Sequence, residues 1–218
     1  MGRTIVGMTA AALIPPLLEA RALCFLRQDE AVFGPVDFAL HAGEIALVEG
    51  DNGSGKTTLM RVLTGMLRPG DGEVLLDGQP FSLDTVAGAV VFLGHQLGLK
   101  LDLSPRENLR FAAGLYGLRA GADADAALRE VGLAGYEEEP ARRLSAGQKK
   151  RVALARLLLL PARVWLLDEP YANLDREGIA LVNRLLEQHA ARHGAALVTS
   201  HGAVTFAGGA PRLIRLHA

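Results

Sequence analysis

The stretch Gly50-Asp51-Asn52-Gly53-Ser54-Gly55-Lys56-Thr57-Thr58 constrains this chain more than any other. It satisfies the spacing G-x-x-x-x-G-K-[ST], and its flanks are right for a phosphate-binding loop. A short apolar run at 44–49 precedes it as a buried strand, and a helical pattern at 56–63 follows. Each residue type has a job in such a loop. Glycine lets the backbone curl until its N–H groups converge on phosphate oxygens. The following helix adds its positive N-terminus. Lys56 sets a point charge against the β- and γ-phosphates, and the Thr57 hydroxyl suits Mg²⁺. All nine residues from Gly50 to Thr58 are therefore candidate nucleotide contacts.

The rest of the chain alternates in the same α/β manner. Residues 17–26 and 32–40 read as strands of an antiparallel meander, 74–76 and 90–93 as further strands. Pro69-Gly70-Asp71-Gly72 and Asp77-Gly78 read as turns. From about 98 to 160 the texture is helical. Ser104-Pro105-Arg106-Glu107 places a capping serine, an N1 proline and a capping-box glutamate at one helix start. Residues 124–131 read as a second helix. Ser145-Ala146-Gly147-Gln148 opens a third with the same box, closed by Pro161. Strands return at 164–167 and 196–199, with a helix at 176–192 between them. The result is a mixed α/β domain with a helical block inserted in its middle.

Residues 164–169 read VWLLDE, four apolar residues delivering two carboxylates to a buried strand end. Unpaired charge there is costly, and a bound Mg²⁺ with a water to deprotonate would account for both. Asp168 is the expected Mg²⁺ partner and Glu169 the expected general base.

Residues 144–148 read LSAGQ, with the phosphate loop before them and VWLLDE sixteen residues after Gln148. This ordered set resembles the ATP-binding cassette (ABC) superfamily, whose signature is usually LSGGQ, so Ala146 is a small departure. The resemblance covers residues 17 to 216. It implies a P-loop NTPase fold, an ABC nucleotide-binding domain over 17–218. That domain has a RecA-like core (17–97 and 161–218), an antiparallel β-subdomain and an inserted helical subdomain at about 98–160. It implies that Gln96 is the Q-loop glutamine, sensing Mg²⁺ and the γ-phosphate; that Asp175, in Asn173-Leu174-Asp175, crosses to a second subunit; and that His201 contacts the γ-phosphate. ATP and Mg²⁺ are the implied ligands, with ADP and phosphate as products. The exposed helix N-terminus capped by Ser145 reads independently as a second anion site. In ABC proteins Ser145, Gly147 and Gln148 would close over ATP held by another copy, giving a head-to-tail homodimer. One feature departs: an aromatic residue usually stacks on adenine about 23 positions before the loop, and Arg27 stands there. A guanidinium can stack on a base, and Phe25 lies two residues back on the same strand face.

Within the superfamily, residues 93–111, 131–157 and 164–175 resemble the ATPase of bacterial cytochrome c maturation, with Tyr171 where phenylalanine is common. That resemblance implies a peripheral subunit on the cytoplasmic face of the inner membrane. Its partners would be transmembrane subunits of the CcmB and CcmC type and, indirectly, a haem chaperone of the CcmE type. The alternatives are an ABC ATPase with lipid or small-molecule cargo, or a soluble one. No apolar stretch approaches the ~18 residues a membrane helix needs, so any membrane role runs through a partner. The net charge of −1 argues against nucleic acid, and a single cysteine, Cys24, excludes a disulfide scaffold. Residues 1–16 read as a loosely ordered leader, or as sequence upstream of a start at Met8. The histidines outside these motifs have no ligand spacing, and no haem ligand is assigned. Glu137-Glu138-Glu139, Arg142-Arg143 and Lys149-Lys150-Arg151 read as solvated faces, with Lys149 and Lys150 also able to line a phosphate-rich interface.

Overall fold

The computed structural model describes residues 15–82, 86, 88–200, 206, 209 and 211–216. The expected leader lies mostly outside these residues, and His201 lies outside them entirely.

Two sheets share one central helix. Strands β1 (Leu18–Arg27), β2 (Glu30–Leu40), β4 (Asp71–Leu76) and β5 (Gln79–Pro80) form an antiparallel sheet in the order β2-β1-β4-β5. Strands β1 and β2 pair antiparallel as expected, but β4 joins β1 rather than β2, so the order is not that of a sequential meander. Strands β3 (Ile45–Glu49), β6 (Val90–Leu93), β7 (Val164–Asp168), β8 (Ala195–Thr199) and β9 (Arg212–Arg215) form a parallel sheet in the order β6-β7-β8-β3-β9. Helix α1 (Lys56–Leu63) packs on both β1 and β7, burying Leu59, Met60, Val62 and Leu63.

Strand periodicity divides the parallel sheet between two cores. Successive side chains point to opposite faces. Ala46, Val48, Val164, Leu166, Ala195 and Leu197 face α1 and the antiparallel sheet. Leu47, Trp165, Leu167, Ala196 and Val198 face the helical block. Both faces are covered, which is why β7 and β8 read as unbroken apolar runs.

The helical block comprises α2 (Pro105–Tyr116), α3 (Ala124–Glu130) and α4 (Ala146–Leu159), and α5 (Arg176–Ala191) packs against it. Both expected capping boxes form: Ser104 with Glu107, and Ser145 with Gln148. A third cap went unread, Asp123 accepting the Ala126 N–H at 2.8 Å at the start of α3. Helix α4 buries Val152, Ala153, Leu154, Ala155, Leu157 and Leu159 and touches α2, α3, α5 and β6. It is the axle of the block.

Two turn signals divide differently from their reading. Asp77 and Gly78 both have positive φ (51° and 74°) and close the β4–β5 hairpin. Asp71-Gly72 is instead the start of β4, where β1 shifts register between Arg21 and Cys24. Gly72 has φ 78°, and a Cβ there would run into the Arg21 and Ala22 carbonyls. The glycine marks a bulge rather than a turn.

Under β7, Trp165 and His189 stack with ring centroids 3.8 Å apart at 10°. The His189 ring nitrogen Nε2 lies 3.0 Å from the Arg163 carbonyl oxygen, so the N–H is on Nε2. Burial pushes the imidazole down to about 4, outweighing that hydrogen bond. The folded protein therefore holds His189 neutral, while the unfolded chain protonates it near 6.5. This contribution is intact above pH 6.5 and is lost as pH falls through 4, by up to about 3 kcal/mol. Trp165 is the single tryptophan of the chain and reports the transition directly. Urea midpoints followed by its fluorescence should fall between pH 6.5 and 4 in the native chain. The fall should be shallower in His189→Gln, and identical slopes in the two proteins would contradict this account.

Candidate nucleotide site

Ligands of open α/β sheets bind beyond the carboxyl ends of the strands. Three strand ends supply expected site residues here, and a fourth supplies one that was not expected. The phosphate loop follows β3, Gln96 follows β6, Asp168 and Glu169 end β7, and Thr199 ends β8.

The loop requires its glycines for two different reasons. Gly55, the N-cap of α1, has φ 89° and ψ 9°, and a Cβ there would sit 2.9 Å from the Val32 carbonyl oxygen. It gives α1 no side-chain cap, so the first-turn N–H groups remain available to an anion. Gly50 is required by space: a Cβ would collide with the Ser54 hydroxyl and lie 3.0 Å from the Leu216 carbonyl oxygen. Lys56 is buried, and its Nζ donates to the carbonyls of Gly50 (2.6 Å) and Asp51 (2.9 Å). The ammonium thus sits within the curl of its own loop. Ser54 Oγ is buried without a hydrogen-bond partner among the described residues. Asp51, Asn52, Gly53 and Thr57 are exposed and Thr58 is half-buried.

Asp168 joins the loop to the sheet. It is 4% exposed. Thr57 Oγ1 donates to one carboxylate oxygen at 2.8 Å and Thr199 Oγ1 to the other at 2.7 Å. The expectation of an unpaired buried charge is corrected: two hydroxyls satisfy this carboxylate within the chain itself. Thr57, Gln96 and Asp168 also line one cleft of about 720 Å³. A hydroxyl, an amide oxygen and a carboxylate are hard oxygen donors, a set that fits Mg²⁺.

Glu169 follows with φ 51°, a left-handed conformation for a residue with a Cβ. Such a residue costs on the order of 1–3 kcal/mol and is held by its surroundings. Its N–H donates to Thr199 Oγ1 at 2.9 Å, and its carbonyl accepts from Lys150 Nζ at 3.2 Å. Lys150 overturns its reading as a solvated residue, being only 8% exposed. Burial lowers its pKa from the ordinary lysine value, while Asp168 and Glu169 pull it back up. The missed signal was periodicity: Lys150 shares its helical stripe with the buried Leu154 and Leu157. Thr199 was also missed, although a hydroxyl closing an all-apolar buried strand is a recognisable sign.

The other expected residues fall into three groups. Ser145 and Gln148 cap α4 reciprocally, the serine oxygen accepting the Gln148 N–H at 3.1 Å. A Cβ on Gly147 would meet nothing within 4 Å, so no packing among the described residues requires a small residue there. Asp175 caps α5, accepting the Gly178 N–H at 2.7 Å, with its side chain 72% exposed. Near the expected adenine position the two aromatic options separate. Phe25 is half-buried and stacks on Phe33 with centroids 6.4 Å apart. A register shift between Phe25 and Leu26 interrupts the simple alternation that put Phe25 and Arg27 on one face. Arg27 is exposed at the end of β1. Tyr171 hydrogen-bonds through its hydroxyl to Asn183 Oδ1 at 2.9 Å.

The ABC transporter family profile matches residues 33–172, which carry the loop, the signature stretch and the acidic strand end. This chain belongs to the ABC transporter family. One curated relative, the cytochrome c biogenesis ATP-binding export protein CcmA of Xanthomonas campestris pv. campestris (strain 8004), is 59% identical over 189 residues. That span is 87% of this chain and 88% of the relative. The protein of the same name from Methylococcus capsulatus is 48% identical over 192 residues, 87% of this chain and 93% of its own length. Among solved structures, an ATP binding subunit of an ABC transporter superposes with a TM-score of 0.82 at 25% identity, covering 92% of this chain and 86% of that one. Among the described residues of this ABC chain, no helix is long and apolar enough to cross a membrane.

The loop geometry sets an expectation for Lys56→Ala. One charge-assisted contact to phosphate is worth about 1.5–3 kcal/mol. ATP affinity should therefore fall by at least about tenfold, read by titration with a fluorescent nucleotide. Unchanged affinity would remove Lys56 from the phosphate site.

Proposed function

We propose that this chain is the ATP-binding and hydrolysing subunit of a bacterial ABC transporter complex of cytochrome c maturation, coupling ATP hydrolysis to haem delivery and the release of a haem-loaded chaperone. The observation carrying the ATPase part is the bridge from Thr57 through Asp168 to Thr199. It ties the phosphate loop to the strand end that bears a second carboxylate. The cargo rests on the names of relatives up to 59% identical.

In the proposed reaction the loop N–H groups, the α1 N-terminus and Lys56 hold the β- and γ-phosphates. Glu169 takes a proton from a water that attacks the γ-phosphorus. The bond from that phosphorus to the β–γ bridging oxygen breaks, and ADP and phosphate leave. Mg²⁺, held by Thr57, Gln96 and Asp168, would neutralise phosphate charge. His201 would contact the γ-phosphate and Arg27 would stack on adenine.

The chain acts as a head-to-tail homodimer with ATP between copies. Ser145, Gly147 and Gln148 of one copy close on the nucleotide of the other, beside Asp175. The open space at Gly147 supports that reading. Residues 17–218 serve as one ABC nucleotide-binding domain, with about 98–160 as its helical subdomain and 1–16 as a leader. The cleft holding Gln96 receives the membrane partners of CcmB and CcmC type, at the cytoplasmic face of the inner membrane. Met66, Phe111, Leu115 and Tyr116 line that cleft and are all exposed large apolar residues, a surface that calls for cover.

Two measurements test this reading. Glu169→Gln should retain ATP, hydrolyse it at least about a hundredfold more slowly, and elute as a dimer when ATP is present; near-native turnover would remove Glu169 as the base. Tagged protein purified from detergent-solubilised native membranes should bring polytopic subunits and a haem-handling chaperone. A different permease would keep the ATPase and overturn the cargo.

A further inference from the structure

Lys150 is a buried cation that none of the steps above uses. It stands on α4, five residues after Ser145, with its ammonium against the main chain of Glu169. Glu169 holds a left-handed backbone there, and two bonds brace its peptide groups. One is the N–H bond to Thr199, which comes from the same sheet. The other is the Lys150 bond to its carbonyl, which comes from the helical block. Lys150 is thus the one side chain of α4 with a hydrogen bond, among those described, to the residue read as the base. Burying an ammonium for a single carbonyl contact is unfavourable unless nearby carboxylates offset it, and Asp168 and Glu169 provide that field.

We propose that Lys150 is a positioning residue for Glu169, fixing its backbone from the helix whose N-terminus carries Ser145. The inference rests on Glu169 being the base. It gives the signature helix a direct mechanical hold on hydrolysis within the same chain. A shift of α4, when Ser145 meets a nucleotide held by another copy, carries the ammonium with it and changes how Glu169 is presented. Nucleotide binding itself runs through the loop, so the effect falls on turnover rather than on affinity.

The test compares the full chain with Lys150→Met and Lys150→Arg by steady-state ATP hydrolysis, nucleotide titration and Trp165 fluorescence on heating. The methionine variant keeps the apolar stem and removes the donor. Its kcat should fall about tenfold, the scale of one charged hydrogen bond, while KM for ATP stays within about twofold of native. The arginine variant, which restores a charged donor, should recover most of that loss. Native kcat in Lys150→Met would overturn the proposal, as would kcat and KM failing together with no recovery in Lys150→Arg. If Lys150→Met does not fold, Lys150→Gln takes its place under the same criteria. A native chain that does not hydrolyse ATP would instead overturn the ATPase reading, and this inference with it.

Discussion

Asp168 accepts one hydroxyl from α1 and another from β8, and much of the site hangs on that arrangement. A carboxylate at a buried strand end is expensive on its own. With a threonine at each oxygen it becomes a rivet instead. Thr57 brings the first turn of the loop helix to the sheet. Thr199 passes its oxygen on to the Glu169 N–H, so one residue fixes both neighbouring acids. Charge-assisted bonds of this kind are roughly twice as strong as neutral ones. The Thr199 bond is buried, while the Thr57 bond lies at the wall of the cleft.

The same economy shapes the two cores. The parallel sheet is a shared wall, with alternate residues of β7 and β8 committed to opposite sides. The antiparallel sheet packs on one side of that wall and the helical block on the other. The cleft containing Thr57, Gln96 and Asp168 opens between α1 and the helical block. Its residues come from elements belonging to both sides, which makes its shape sensitive to how the block is seated.

Local chemistry was the most readable part of the sequence. Ser104 and Ser145 announce their helices because a capping box is complete within four residues. The phosphate loop is equally self-contained. Relations across the fold were harder. Strand β9, with its pattern RLIR, is an edge strand that pairs, among the described residues, with β3 alone, and four residues of mixed character do not advertise a pairing nearly 170 positions away. Gly72 looked like a turn because a bulge opposite Ala22 leaves no trace in its own neighbourhood. Lys150 looked solvated because a charge run suggests water, yet helical phase put it among leucines. Phe25 and Arg27 were placed on one face by strict alternation, which the register shift in β1 interrupts.

The reciprocal cap at Ser145 has a consequence for selectivity. A hydroxyl offers one hydrogen and two lone pairs. One lone pair is already committed to the Gln148 N–H. The hydrogen and the second lone pair stay free, and the hydrogen can be given to a visitor rich in lone pairs. The N-terminus of α4 adds a positive end at the same point, which favours acceptors over donors. A donor-rich group reaching that point would share the oxygen with the Gln148 N–H and meet the positive end of the helix.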